Sequence, residues 1–452
     1  MMLNNDANVM KTFLFICLIL WFPTLFFTEP ENSQFFYWRH HLTILTGFIG
    51  FACMTVSVIL ALRLKWVEDR MNGLDNMYAL HKRMGITALI SLVLHWLIIK
   101  SAKWLIALDI IARRRRGSHF GSGHGFDGIN WTHLAKEVGE YTFYIFVIFV
   151  AISLIQIISY RKFRFIHKIA GALFIAGAFH SLILMDLKWS SLSIDIFIIL
   201  MCLIGTIGAL ISLTGKIGKA NQSEGEITSY KVYGKPNVSK RVVHLFVRLR
   251  QPVHYKEGQF AYLNFHDGEA PHPFTILDYN TKTQSIEFAI KELGDYTSDL
   301  IDTISTLKTV TIEGGYGRFH IPKENKQIWV GSGIGVVPFI SWLQWQNKHT
   351  DSIKQHQSID FYYCRHSQKE AYFENVLQKL VRPFPNISLH IFTREEQGRR
   401  LTTEDIIPET SLTESVSVSF CGPVEFSRQL SERLFELGLP EHRFHCEKFV
   451  MR

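Results

Sequence analysis

Six apolar stretches crowd the first half of this chain, at about residues 12–28, 41–64, 78–99, 139–160, 166–185 and 192–214. Each is close to the roughly 20 residues that an α-helix needs to cross a bilayer. The fold class expected is therefore a six-helix membrane domain followed by something of a different kind. The first stretch has one basic residue ahead of it, Lys11, and Pro23 inside it. No small-x-small cleavage site precedes Glu29-Pro30-Glu31, so it reads as a retained helix rather than a cleaved leader.

Charge follows the same division. Residues 1–215 carry 19 Lys/Arg against 12 Asp/Glu, and residues 216–452 carry 29 against 28. The second half lacks the positive surplus that tracks phosphates, which argues against a nucleic-acid binder. Six cysteines without a CxxC pair argue against a disulfide scaffold, a zinc ribbon or a cysteine-ligated iron–sulfur cluster, and no disulfide-linked partner is expected. Basic residues gather in the 2–3 loop (Arg63, Lys65, Arg70, Lys82, Arg83), in the 4–5 loop (Arg161, Lys162, Arg164, Lys168) and after the sixth stretch (Lys216, Lys219). This bias places those loops and both termini in the cytoplasm. The block Arg113-Arg114-Arg115-Arg116 in the 3–4 loop runs against that orientation.

Four histidines mark the membrane half: His81 and His95 on the third stretch, His167 and His180 on the fifth. Ionisable residues inside a bilayer are costly and by default functional. A bond to a neighbouring helix accounts for any one of them, but poorly for two pairs at spacings of 14 and 13 on separate helices. At about 1.5 Å of rise per residue each pair spans roughly 20 Å, the separation of two irons near opposite faces of a membrane. The reading is two b-type haems, the inner held by His81 and His167, the outer by His95 and His180. With both axial positions filled, a haem carries electrons and does not bind oxygen directly. A spacing of 14 is about 3.9 turns and keeps His81 and His95 on one face; 13 is about 3.6 turns, so the fifth helix must be distorted or strongly tilted. Gly171 and Gly177 lie where a kink is expected. Lys82, Arg83 and Lys168, beside the inner pair, are placed either to meet haem propionates or to anchor at headgroups.

After Gly215 the pattern changes. Val242–Arg248, Gln259–Phe265 and Ser285–Ile290 are short alternating runs between Gly, Pro and charged turns, the signature of a small antiparallel barrel to about residue 322. From Gln327 onward, strands alternate with helices, as in a parallel α/β nucleotide-binding domain. Gly331-Ser332-Gly333-Ile334-Gly335 joins an apolar strand to a helix with Pro338 in its first turn. Such glycines let backbone approach a pyrophosphate, and the helix start supplies N–H donors. His272-Pro273-Phe274-Thr275-Ile276 on a barrel strand and Gly294-Asp295-Tyr296-Thr297-Ser298 complete the candidates: a threonine hydroxyl near a flavin, and a Gly-x-x-Thr helix start for a pyrophosphate. The expected domains are 1–215, 224–325 and 326–452.

Residues 224–452 resemble the ferredoxin-reductase type of flavoprotein, in the form carried by NADPH oxidases and ferric reductases. His272–Thr275 corresponds to its flavin motif and Gly331–Pro338 to its nucleotide loop. Phe420-Cys421-Gly422-Pro423 corresponds to the Cys-Gly-Pro motif near the nicotinamide. Residues 41–214 resemble the ferric-reductase-like transmembrane domain, with the same histidine spacings. Three departures stand out. Gly315 lies where relatives often have proline. The C-terminal Phe449-Val450-Met451-Arg452 has one aromatic where relatives often have two, which makes Phe449 the candidate cover for the flavin ring. No EF-hand loop precedes the first stretch, so calcium control is not expected.

The resemblance implies FAD, a nicotinamide nucleotide and two haems in a multi-pass protein of the plasma (bacterial inner) membrane, with both nucleotide domains cytoplasmic. Hydride from the nucleotide passes to FAD. Single electrons then pass to the inner haem, the outer haem and an outer acceptor, either oxygen, giving superoxide, or a ferric chelate. The alternative is an electron-supplying module for a separate outer-side protein. NADPH rather than NADH is the expected donor. The strand Ile359–Cys364 ends in Arg365-His366-Ser367, and ligands bind beyond the carboxyl ends of parallel strands. A guanidinium there suits a 2′-phosphate, with Arg394 after the next strand as a helper.

Overall fold

A computed structural model of the protein describes residues 2–26, 34–71, 73–111, 129–155, 163, 166–185, 192–235, 240–322, 324–349, 357–407 and 416–446. Arg113–Arg116 and Phe449 lie outside these residues. The chain divides into two compact units, residues 2–67 with 76–217, and residues 68–75 with 218–452.

The first unit is helical: α1 (Met2–Trp21), α2 (Gln34–Ala61), α3 (Leu74–Ala107), α4 (Trp131–Leu154), α5 (Ile169–Ile183) and α6 (Leu192–Leu213). Five helices among the described residues are long and apolar enough to cross a membrane; α5, at 15 residues, is shorter. Its sequence stretch begins earlier. Ile166 and His167 are helical, Lys168 is a turn residue with helical dihedrals (φ −60°, ψ −27°), and α5 then runs through Gly171 and Gly177 without a break. The helix is thus unbroken at both glycines. The reason is packing. Gly171 is buried, and a Cβ there would lie 3.1 Å from the Ala209 carbonyl oxygen of α6. That glycine serves helix contact, which needs a regular helix.

The second unit begins as a closed antiparallel barrel of β1 (Gln222–Tyr233), β2 (Val242–Leu249), β3 (Phe260–Asn264), β4 (His272–Asn280), β5 (Ser285–Lys291) and β6 (Thr309–Tyr316), in the order β1-β2-β5-β4-β3-β6. Alternation builds it: Val243, Leu245 and Val247 of β2 fill the interior with no exposure, while Arg248 faces out. The helix α7 (Asp295–Thr303) leaves the end of β5. The α/β part follows. Its strands β7 (Lys326–Ser332), β8 (Ser358–Arg365), β9 (Ile387–Thr393), β10 (Val416–Cys421) and β11 (Phe444–Cys446) are all parallel, in the order β11-β10-β7-β8-β9. The helices α8 (Val337–Lys348), α9 (Glu374–Val381) and α10 (Val424–Glu436) complete it. Every residue of β10 is buried, as expected of a strand covered on both faces. From β7 the chain builds outward to β8 and β9, then returns to the other side for β10 and β11. The order therefore reverses between β7 and β10, and the crevice beyond their carboxyl ends is where such sheets bind ligands.

Candidate functional site

That crevice is occupied by two loops in close contact. Gly331–Gly335 follows β7, and Gly422-Pro423 follows β10. A Cβ on Gly335 would lie 2.2 Å from the Cys421 carbonyl oxygen, so only glycine lets the loops meet. Between them and the barrel opens a cavity of about 580 Å³. Pro273, Phe274, Thr275 and Thr297 line its barrel side; Gly333, Gly335, Cys421 and Gly422 line its sheet side. The structure thus brings together most of the residues expected from sequence. Gly331, where a Cβ would fall 2.9 Å from the Val336 Cα, is the penultimate residue of β7, and Gly294 is the exposed N-cap of α7. The Thr297 hydroxyl accepts from the Leu293 and Gly294 amides at 2.8 and 3.1 Å and fixes the start of α7. His272 lies beside that helix, stacked on Tyr296.

Arg365 lines the same cavity but is not placed as a phosphate fork. Its side chain is 3% exposed and ion-paired with Glu374. It also donates to Thr393 Oγ1 at 3.0 Å and to Gln368 Oε1 at 2.8 Å. The guanidinium knits the ends of β8 and β9 together. Two other arginines on the cavity wall, Arg394 and Arg400, are exposed, and their side chains make no hydrogen bond or ion pair among the described residues. Sequence reading named the first only as a helper and missed the second, as well as Lys291. Lys291 lies on the wall with its Nζ 2.8 Å from Glu370 Oε2. Arg400 carries no motif; only the return of the chain after β9 brings it to the crevice.

Behind the cavity, Glu292 holds the end of β5. It accepts from the Arg241 guanidinium at 3.1 Å and from Ser298 Oγ of α7 at 2.9 Å. Arg241 keeps the Glu292 carboxyl down at about 2. A carboxylate with a depressed folded pKa adds stability that is present above its usual value near 4.5 and lost as pH falls toward 2. The melting temperature of the second unit, read by tryptophan fluorescence in the full-length protein, is expected to fall over that window. The drop should be about 2–4 °C for each kcal/mol lost, and smaller in Glu292→Gln. An identical acid profile in both proteins would contradict this role.

In the helical unit three of the four histidines turn the same ring nitrogen to a backbone carbonyl. Nδ1 of His81 donates to the Ser57 carbonyl at 2.9 Å, that of His95 to the Thr43 carbonyl at 2.9 Å, and that of His180 to the Ala135 carbonyl at 2.8 Å. A nitrogen against a carbonyl must carry the proton, so each ring keeps the Nε2 lone pair for a metal. His167 is boxed between Phe149 and Phe163, and its ring centre lies 5.9 Å from that of His81. Two imidazoles sharing one metal, with bonds of about 2 Å plus about 1 Å from nitrogen to ring centre, are about 6 Å apart. The pair fits. Among the described residues no group of three or more His, Cys, Asp or Glu side chains is placed to hold a metal. Two opposed imidazoles suit a metal whose other four bonds come from a macrocycle. Glycines make room for the second pair: a Cβ on Gly139 would lie 2.1 Å from His180 Nδ1, and one on Gly47 would lie 3.0 Å from His95 Cε1.

Residues 46–178 match the ferric reductase like transmembrane component family, and residues 228–353 match an FAD-binding domain. The first match includes three of the four histidines and stops two residues short of His180. NADPH oxidase 1 of Rattus norvegicus is 28% identical over 120 residues, 24% of this chain and 21% of that protein. The flavohemoprotein of Rhizobium meliloti (strain 1021) is 26% identical over 167 residues, 34% of this chain and 40% of that protein. The chain spans less than half the length of these relatives. A solved ferredoxin-NADP+ reductase from Plasmodium falciparum is 18% identical, covers 51% of this chain and 97% of its own, and superposes with a TM-score of 0.42. The two family matches fall in chain order on the helical unit and on the barrel with the start of the α/β part, so the chain joins a ferric reductase like transmembrane component to an FAD-binding domain.

Proposed function

We propose that this chain moves electrons from NADPH across a membrane to an acceptor on the far side, oxygen or a ferric chelate. The observation that carries the reading is the His81–His167 pair, two imidazoles on separate helices at the separation a shared metal requires. When bound, FAD would accept hydride and release single electrons, and two b-type haems would relay them. The residues do the positioning. Thr275 and the Gly294–Thr297 turn would hold the flavin. The Gly331–Gly335 loop and the start of α8 would hold the nucleotide pyrophosphate, and Cys421 and Gly422 would border the nicotinamide. Arg394 and Arg400 take over the 2′-phosphate role first given to Arg365, because their donors are open. His81 and His167 would hold the inner haem, His95 and His180 the outer.

The proposed domain division is 1–215, 224–325 and 326–452. Basic residues in the 2–3 and 4–5 loops support a cytoplasmic position for the nucleotide domains, in a bacterial inner membrane.

The test is purification in detergent with added FAD, followed by NADPH. The haem Soret band should shift to its reduced position. Superoxide, read as dismutase-sensitive cytochrome c reduction, is then compared with ferrous iron from a ferric chelate. A protein that purifies with two haems yet leaves both oxidised under NADPH sinks the reading. Haem reduction with neither product would favour a dedicated outer-side protein as acceptor.

A further inference from the structure

The two segments assigned to the flavin, the first residues of β4 and the start of α7, touch each other through the side chains of His272 and Tyr296. The Tyr296 ring lies flat on the His272 imidazole, with centres 3.7 Å and planes 15° apart. The Tyr296 hydroxyl donates to Asp267 Oδ2 at 3.2 Å, in the turn before β4. Asp267 Oδ1 in turn accepts from the Glu269 amide at 2.9 Å, which holds that turn. Tyr296 also packs against the barrel interior and immediately precedes Thr297, whose hydroxyl fixes the helix start. None of the three residues is fully buried. An apolar side chain would serve a core position as well; a tyrosine tied by its hydroxyl and laid on an imidazole fixes an angle as well as a distance.

We propose that Asp267, Tyr296 and His272 form a positioning stack that locks β4 to the start of α7, so that Thr275 and the Gly294–Thr297 turn engage one dinucleotide together. The proposal rests on the flavin reading of the barrel. A strand rises about 3.3 Å per residue, so Thr275, three residues after His272, lies about 10 Å along β4 from the stack. A small tilt at His272 therefore becomes a larger displacement at the hydroxyl. Without the lock, each segment can still bind its part of FAD, but the two parts are no longer held at the spacing of one molecule.

The test is FAD titration of the full-length protein in detergent, followed by quenching of flavin fluorescence. Tyr296→Leu, which removes the ring, should weaken FAD about 3- to 10-fold, the worth of an aromatic pair. Tyr296→Phe, which keeps the ring face but loses the hydroxyl bond to Asp267, should recover part of that loss. His272→Leu should weaken FAD similarly, and the Tyr296→Leu/His272→Leu double variant should be no worse than the poorer single, because one interaction is lost only once. At saturating FAD the KM for NADPH should be unchanged in every variant, which a general loosening of the fold would not allow. Multiplying losses in the double variant, or no recovery with phenylalanine, would overturn the stack. Unchanged affinity in Tyr296→Leu, in a protein whose wild type binds FAD, would overturn the stack alone. A wild type that binds no FAD would overturn the flavin reading and the stack with it.

Discussion

Replacing His180 with leucine is expected to leave one haem per chain instead of two and to stop electron delivery to outside acceptors. Leucine has no lone pair, and a six-coordinate iron that loses one axial imidazole loses most of its hold on the protein. The step from NADPH to flavin should survive, because it belongs to the other compact unit. His95→Leu should behave the same way. Gly139→Ala offers a gentler version: its new methyl would fall 2.1 Å from His180 Nδ1 and must push the ring off the Ala135 carbonyl. Pyridine haemochrome assay counts the haems, and acceptor reduction should drop at least about 100-fold, more than about 2.7 kcal/mol of lost rate. If both leucine variants retain two haems, the ligands are misassigned.

The second large effect concerns the donor. Arg394→Ala and Arg400→Ala should each raise the KM for NADPH about 10- to 100-fold, the worth of one charge-assisted hydrogen bond at roughly 1.5–3 kcal/mol, and leave NADH kinetics nearly unchanged. Arg365→Ala should fail differently. It strands Glu374 and unties Thr393 from Gln368, and losing one partner of a buried pair costs about 3–5 kcal/mol of stability. The melting temperature should fall and both donors should suffer alike. A selective loss of NADPH with Arg365→Ala and none with the other two would return the role to Arg365.

That reversal shows what the sequence conceals. Strand alternation was legible to within a residue or two: Val242–Arg248 is β2 less its last residue, Ser285–Ile290 is β5 less its last, and Ile359–Cys364 is β8 less one at each end. Glycines between a strand and a helix, and histidines in an apolar field, stand out because each is costly unless used. Arg365 was legible as an arginine at a strand end. Its pairing was not, since Glu374 and Thr393 come from different elements. Arg400 reaches the crevice only through the turn after β9, which includes the left-handed Gly398 at φ 66°. The fifth helix misled for a similar reason. Glycine is the usual site of a kink, but Gly171 packs against α6 and α5 runs on through it.

The hydrogen bonds to the histidines carry one more consequence. The acceptors for His95 and His81 are carbonyls of Thr43 and Ser57, both on α2 and 14 residues apart. The interval between the two rings on α3 is therefore repeated, in the opposite direction, along the backbone of its neighbour. α2 works as a ruler whose marks are main-chain oxygens. Any side chain can stand at positions 43 and 57 without erasing a mark, so these positions are free to drift while the ruler still measures. A single inserted residue between them is another matter. It turns the far mark by about 100° and slides it about 1.5 Å, and a chain with all four histidines intact would then hold one of them without its support.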